Sequence, residues 1–157
     1  MLNKHAVLLV GLMACLAPVS SFADKLGDPA PPLTVMEWIK GKPVDVKAGT
    51  NIYVLVFCTL SRVNEFALTN LSNLQKIYQD KGVVVVAISD EPAEQLKAFV
   101  QLKGAKIEFS VADDDNARRT TLNYQRAYKQ MMLPRAYVVG KDGKVLWHGH
   151  PLIGGLG

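Results

Sequence analysis

Two short runs of apolar, mostly β-branched residues dominate the pattern of the chain. Ile52–Phe57 and residues 83–88 consist of aliphatic and aromatic side chains. Such runs are typical of strands that are buried on both faces. Between them, from residue 63 to 81, apolar residues recur with helical spacing, and Gly82 supplies a stop. The pattern predicts a strand–helix–strand unit with adjacent, parallel strands.

Weaker patterns on either side predict the remaining elements. Short strands are expected at residues 33–40 and 43–46, and further helices at residues 92–103 and 117–130. Ile107, Phe109 and Val111 alternate with polar residues, which indicates a half-exposed edge strand. Residues 136–139 and 144–147 flank Asp142-Gly143 and predict a hairpin. The predicted fold class is α/β: a mixed sheet, parallel at its centre and antiparallel at one side, flanked by helices.

The first residues are predicted to be a signal peptide. Lys4 gives a positive start, residues 6–19 are mostly apolar, and Ser21-Phe22-Ala23 has the small-x-small pattern of a cleavage site. We therefore expect an exported protein with a signal peptide at 1–23, a Pro-rich linker at 24–32 and one domain at 33–157. An alternative interpretation takes residues 12–15 as a lipobox, with Cys15 as a lipid anchor. The apolar run is shorter than the roughly 20 residues of a transmembrane helix.

Charge and metal-ligand patterns exclude several classes of function. Of 157 residues, 18 are Lys or Arg and 14 are Asp or Glu, without a basic cluster that would indicate nucleic-acid binding. His148 and His150 could share one side of a strand and hold copper with Met132 or Cys58, but hairpin-end histidines are more often solvated. Residues 113–115, three aspartates, are interpreted as a solvated loop that lacks the pattern of a calcium site. We expect no metal and no cofactor.

The order of four motifs gives the chain a family resemblance. They are Trp38-Ile39-Lys40-Gly41-Lys42-Pro43, Lys81-Gly82-Val83-Val84-Val85-Val86, Leu133-Pro134 followed by Ala136-Tyr137-Val138-Val139, and Gly149-His150-Pro151. Residues 33–151 thereby resemble the TlpA-type branch of the thioredoxin superfamily, exported thiol-disulfide oxidoreductases with AhpC/TSA-related redoxin relatives. The resemblance implies a thioredoxin-like fold and a family activity in redox homeostasis. The helix that normally closes this fold after the hairpin is not expected here, because the sequence ends in Gly154-Gly155-Leu156-Gly157.

The chain departs from this family at the motif that carries its chemistry. Relatives place Trp-Cys-x-x-Cys between the first central strand and the long helix, where the helix dipole lowers the pKa of the first thiol. Counting back from the helix puts Ser61 and Asn64 at the cysteine positions. Counting forward from the strand puts Arg62 and Glu65 there. A third alignment, with a deletion, pairs Cys58 with Ser61 as Cys-x-x-Ser.

Cys58 allows two interpretations. It is either a small core residue at the end of a strand or an exposed thiolate whose pKa is lowered by Arg62. In a chain cleaved after residue 23 it would be the single cysteine, so redox chemistry would need a mixed disulfide, a sulfenic acid or a second protein. Ser61 is expected to be the N-cap of the following helix.

Pro134 is, by resemblance, a cis-proline that faces the start of the long helix. The resemblance implies a groove lined by Met132, Leu133, Pro134 and Arg135, in which partners lie extended, and such a surface needs no cysteine. We therefore expect a redox-impaired binding module for protein or peptide clients, some of them thiol-bearing. The alternative is an enzyme: a reductase, isomerase or peroxidase with Cys58 as its catalytic thiol and an external reductant. The peroxidase is less favoured, because Leu55 occupies the threonine position of a Thr-x-x-Cys motif.

Overall fold

The computed structural model of the protein describes residues 26–151. The predicted signal peptide, the alternative lipid anchor at Cys15 and the prediction for the chain after the hairpin lie outside these residues. Within them, no helix is both long enough and apolar enough to cross a bilayer.

Six strands form one sheet in the order β1-β4-β3-β2-β5-β6. The strands are β1 Val35–Lys40, β2 Ile52–Phe57, β3 Val83–Ser89, β4 Ser110–Asp114, β5 Arg135–Val139 and β6 Val145–Gly149. The α-helices are α1 Glu65–Tyr78, α2 Ala93–Lys103 and α3 Arg119–Ala127. Single 3₁₀ turns occupy Leu60–Arg62, Gln79–Lys81 and Gly104–Lys106.

The predicted strand–helix–strand unit is present. β2 and β3 are parallel neighbours, in register from Ile52 opposite Val83 to Phe57 opposite Ile88. Most of their residues are buried, which agrees with the continuous apolar runs. After α1 and the 3₁₀ turn that follows it, Gly82 adopts a left-handed conformation with φ 81° and ends the helical segment.

The sheet differs from the prediction at its first edge. Ile107, Phe109 and Val111 were expected on a half-exposed edge strand, but each is at most 2% exposed. β4 lies inside the sheet, parallel to β3 and antiparallel to β1, so both of its sides are paired. The sheet is therefore antiparallel at both margins. Residues 43–46, predicted to be a strand, form no strand.

Helices cover both faces of the sheet. The cluster on one face includes Leu68 and Leu71 of α1 and Leu96 of α2, and the cluster on the other face includes Tyr124 of α3. This layered, mixed α/β arrangement confirms the predicted fold class.

Asp114, at the end of β4, also differs from its prediction. Asp114 was expected in a solvated loop, but it is 2% exposed. Its Oδ2 accepts hydrogen bonds from the Thr121 amide at 2.8 Å and the Thr121 hydroxyl at 2.6 Å, and its Oδ1 accepts one from the Thr120 amide at 3.2 Å. The carboxylate therefore satisfies amides at the beginning of the helix, which have no partner within it.

Candidate functional site

A pocket of about 420 Å³ opens at the carboxyl end of β2, between the start of α1 and the segment that contains Pro134. The Leu133–Pro134 peptide bond is cis, as the resemblance implies. In open α/β sheets, ligands bind in crevices outside the carboxyl ends of the strands. The volume falls within the range of about 300–1,000 Å³ that is usual for ligand pockets.

The walls of the pocket are largely apolar and its edges carry a few polar groups. The apolar residues come from β2, the loop before α1, α1 itself, the cis-proline segment and the chain just after β6: Val56, Val63, Ala67, Leu71, Leu133, Pro134 and Pro151. The polar lining consists of Cys58, Thr59, Arg62, Asn64 and His150. Apolar walls with few polar groups favour an apolar side chain as occupant, oriented by hydrogen bonds at the edge.

Two sets of side-chain hydrogen bonds hold the loop between β2 and α1. Asn64 is the N-cap of α1, and its Oδ1 accepts a hydrogen bond from the Ala67 amide at 2.9 Å. Ser61 was expected in that role, but it lies in the preceding 3₁₀ turn. Its amide donates to Glu91 Oε2 at 3.1 Å, and its hydroxyl donates to Glu91 Oε1.

Glu91 is a site residue that the sequence analysis missed. It is 8% exposed, and its Oε2 also accepts a hydrogen bond from the Ser89 hydroxyl at 2.8 Å. The carboxylate therefore ties the end of β3 to the loop beside the pocket. Its position just after a buried strand, at the carboxyl edge of the predicted parallel sheet, was the signal that could have found it.

Cys58 lies at the floor of the pocket and is 2% exposed. Its amide donates to the Ile88 carbonyl at 3.1 Å, so it continues the pairing of β2 with β3. Burial, followed by the negative charges of Glu91 and Asp90, raises the pKa of the thiol to about 12. These features agree with the core interpretation. The thiol is not the exposed group of the other interpretation, and Arg62 is not among the groups that shift its pKa.

The predicted groove residues separate into two groups. Leu133 and Pro134 line the pocket, and Met132 beside them is 79% exposed. Arg135 lies elsewhere: it pairs with Phe57, whose side chain belongs to the cluster on the opposite face, and its Nη2 is 2.9 Å from His148 Nδ1. Arg135 is the first residue of β5, where side chains alternate, and it shares its face with Tyr137, away from the pocket.

The two histidines also separate. His148 contacts the rings of Tyr128 and Tyr137, whereas His150 lines the pocket. In the part of the chain from 26 to 151, no three His, Cys, Asp or Glu side chains form a group that could hold a metal ion.

Comparison with known proteins places the chain among redoxins. The AhpC/TSA family model matches residues 26–148. The thiol-disulfide oxidoreductase ResA of Bacillus anthracis is 30% identical over 132 residues, which cover 80% of this chain and 72% of that relative.

Solved structures agree with the fold. The mitochondrial 2-Cys peroxiredoxin of Plasmodium falciparum superposes with a TM-score of 0.64 at 18% identity, over 80% of this chain and 82% of that one. A thiol-disulfide isomerase of Corynebacterium glutamicum superposes with a TM-score of 0.57 at 20% identity, over 77% of this chain and 86% of that one. The protein therefore has a thioredoxin-like fold and belongs to the AhpC/TSA family of redoxins.

Proposed function

We propose that the protein is an exported, thioredoxin-like binding module that holds extended segments of client polypeptides in the pocket beside Pro134, without disulfide exchange. The observation that carries this proposal is the combination of an open, largely apolar pocket with a buried thiol at its floor. The pocket retains the two surfaces that resemblance assigns to client binding, the start of α1 and the cis-proline segment. Cys58 at its floor is 2% exposed and has a pKa raised to about 12.

The composition of the loop supports the same proposal. The span that matches the family, residues 26–148, contains a single cysteine, Cys58. Ser61 and Asn64, which take the cysteine positions in one alignment, hold the loop together through hydrogen bonds. A serine hydroxyl and an asparagine amide cannot form a disulfide, so these groups keep the shape of the site without its redox chemistry.

The single-thiol enzyme is less well supported. A thiolate is the nucleophile in disulfide exchange, and a thiol with a pKa of about 12 is almost entirely protonated at neutral pH. The buried Sγ would also have to become accessible to a partner disulfide. The proposal includes export because residues 1–23 are predicted to be a signal peptide.

Binding and redox activity can be tested separately. Fluorescence anisotropy would measure the binding of two labelled, extended peptides that differ at one position. One has a central Leu-Cys pair and the other has Leu-Ser in its place. We expect similar affinities for both, since the pocket recognises shape and apolar area. Insulin reduction and peroxide consumption should equal the buffer rate. Turnover that disappears in Cys58→Ser would contradict the proposal and support the enzyme.

A matched pair of variants locates the binding surface. Thr59 is partly buried and lines the pocket, so Thr59→Trp should fill it and abolish peptide binding. Thr69 is an exposed threonine of α1 that does not line the pocket, so Thr69→Trp should bind as the unaltered protein does. If both variants lose peptide binding equally, or if neither loses it, the peptide binds elsewhere.

A further inference from the structure

Arg62 places a cation at the edge of the pocket. Its side chain lines the pocket and is exposed. Among residues 26–151, no carboxylate lies within ion-pair distance of its guanidinium. An arginine offers five N–H donors in a planar fork, which matches the two oxygens of a carboxylate.

Two acidic residues near the site, Glu65 and Asp90, are already paired. Glu65 Oε1 lies 2.5 Å from Lys103 Nζ, and Glu65 Oε2 lies 2.5 Å from Lys106 Nζ. Asp90 Oδ2 lies 2.7 Å from Arg118 Nε. These pairs leave the charge of Arg62 uncompensated within the site.

The carboxylate of Glu91 lies beside the same loop but forms no ion pair with Arg62. It is buried, does not line the pocket, and accepts hydrogen bonds from Ser61 and Ser89. The beginning of α1 at Asn64 adds the partial positive charge of a helix N-terminus. Arg62 and the helix start therefore place positive charge at the edge of the pocket, whereas its walls are largely apolar.

We propose, on the basis of the function proposed above, that the pocket selects extended polypeptide segments in which an apolar side chain is followed by Asp or Glu. The apolar side chain fills the space between α1 and Pro134, and the carboxylate pairs with the Arg62 guanidinium. Met132, which is 79% exposed beside the pocket, offers an adaptable apolar surface to neighbouring residues of the client. Arg62 is thereby a specificity-determining residue.

The test compares three labelled peptides that differ at one position: a central Leu-Asp, Leu-Asn or Leu-Lys pair. Anisotropy titrations would use the full chain, Arg62→Gln and Arg62→Glu. We expect the Leu-Asp peptide to bind about fivefold more tightly than Leu-Asn, the preference to vanish in Arg62→Gln, and Leu-Lys to be favoured by Arg62→Glu. About 1 M salt should weaken the preference.

The possible outcomes distinguish the two proposals. If all three peptides bind equally, and Thr59→Trp abolishes binding, the module proposal stands and the selection of acidic segments is overturned. If no peptide binds, both are overturned. Displacement of the Leu-Asp peptide by a matching concentration of decanoate would assign the pocket to small carboxylates and overturn the choice of a polypeptide. Thermal melts of the Arg62 variants, expected to match the unaltered chain, verify that each variant is folded.

Discussion

Alkylation of Cys58 should be at least about a thousandfold slower in the folded protein than in the unfolded chain. The structure raises the pKa of this thiol from 9.0 to about 12. At a pH well below both pKa values, that change lowers the thiolate fraction about a thousandfold, because each pH unit below a pKa lowers the ionised fraction about tenfold. Burial should slow the reaction further, since the reagent must reach a sulfur that is shielded by the pocket floor.

The assay uses Cys15→Ser in the full chain, so that Cys58 is the single thiol. Intact-mass spectrometry would follow iodoacetamide addition at neutral pH, with and without 6 M guanidinium chloride. Glu91→Gln in the same background should raise the folded rate modestly, because burial, the largest cause of the raised pKa, remains. A folded rate within about tenfold of the unfolded rate would refute the reasoning and restore a reactive thiol.

Three further predictions concern stability. Glu91→Gln should lower the free energy of unfolding by about 1.5–3 kcal/mol in urea titrations, because the Ser61 amide and hydroxyl lose a charged acceptor. Asp114→Asn should lower it by about 0.5–2 kcal/mol, because the start of α3 loses part of its cap. An unchanged midpoint in either variant would contradict the assigned hydrogen bonds. The folded-state pKa of Cys58 exceeds that of the unfolded chain, so its contribution is complete below a pH of 9.0 and is lost as the pH rises through about 12. Thermal melts should therefore show a smaller loss of stability at alkaline pH in Cys58→Ala than in the unaltered chain. Some alkaline loss should remain in the variant, because burial also raises the pKa of Tyr124. Identical losses in the two proteins would argue against the raised thiol pKa.

The centre of the fold could be predicted from the sequence because its signals are local. Ile52–Phe57 is a strand with the predicted bounds, since an apolar run between polar segments leaves few alternatives. The position of β4 could not be predicted in the same way. Its alternating pattern describes one strand, whereas the neighbour that covers its outer side, β1, lies more than 70 residues earlier in the chain.

The candidate site was predictable only in part, for a similar reason. Pro134 and its cis bond followed from the resemblance, and the end of an apolar strand favoured a buried Cys58. The partner of Ser61 did not follow, because Glu91 lies 30 residues away and is brought to the loop by the pairing of β2 with β3. Likewise, three consecutive aspartates look like a solvated loop until the packing of α3 supplies donors to Asp114.

Mass spectrometry of one mixture tests the absence of thiol exchange most directly. The Cys15→Ser chain would be incubated with the Leu-Cys peptide carried as a mixed disulfide with a small thiol, then measured under native and denaturing conditions. We predict a one-to-one complex in the native spectrum and the unmodified chain mass after denaturation. A covalent chain–peptide adduct that survives denaturation, and is missing when Cys58 is replaced by serine, would contradict a module that binds without exchange.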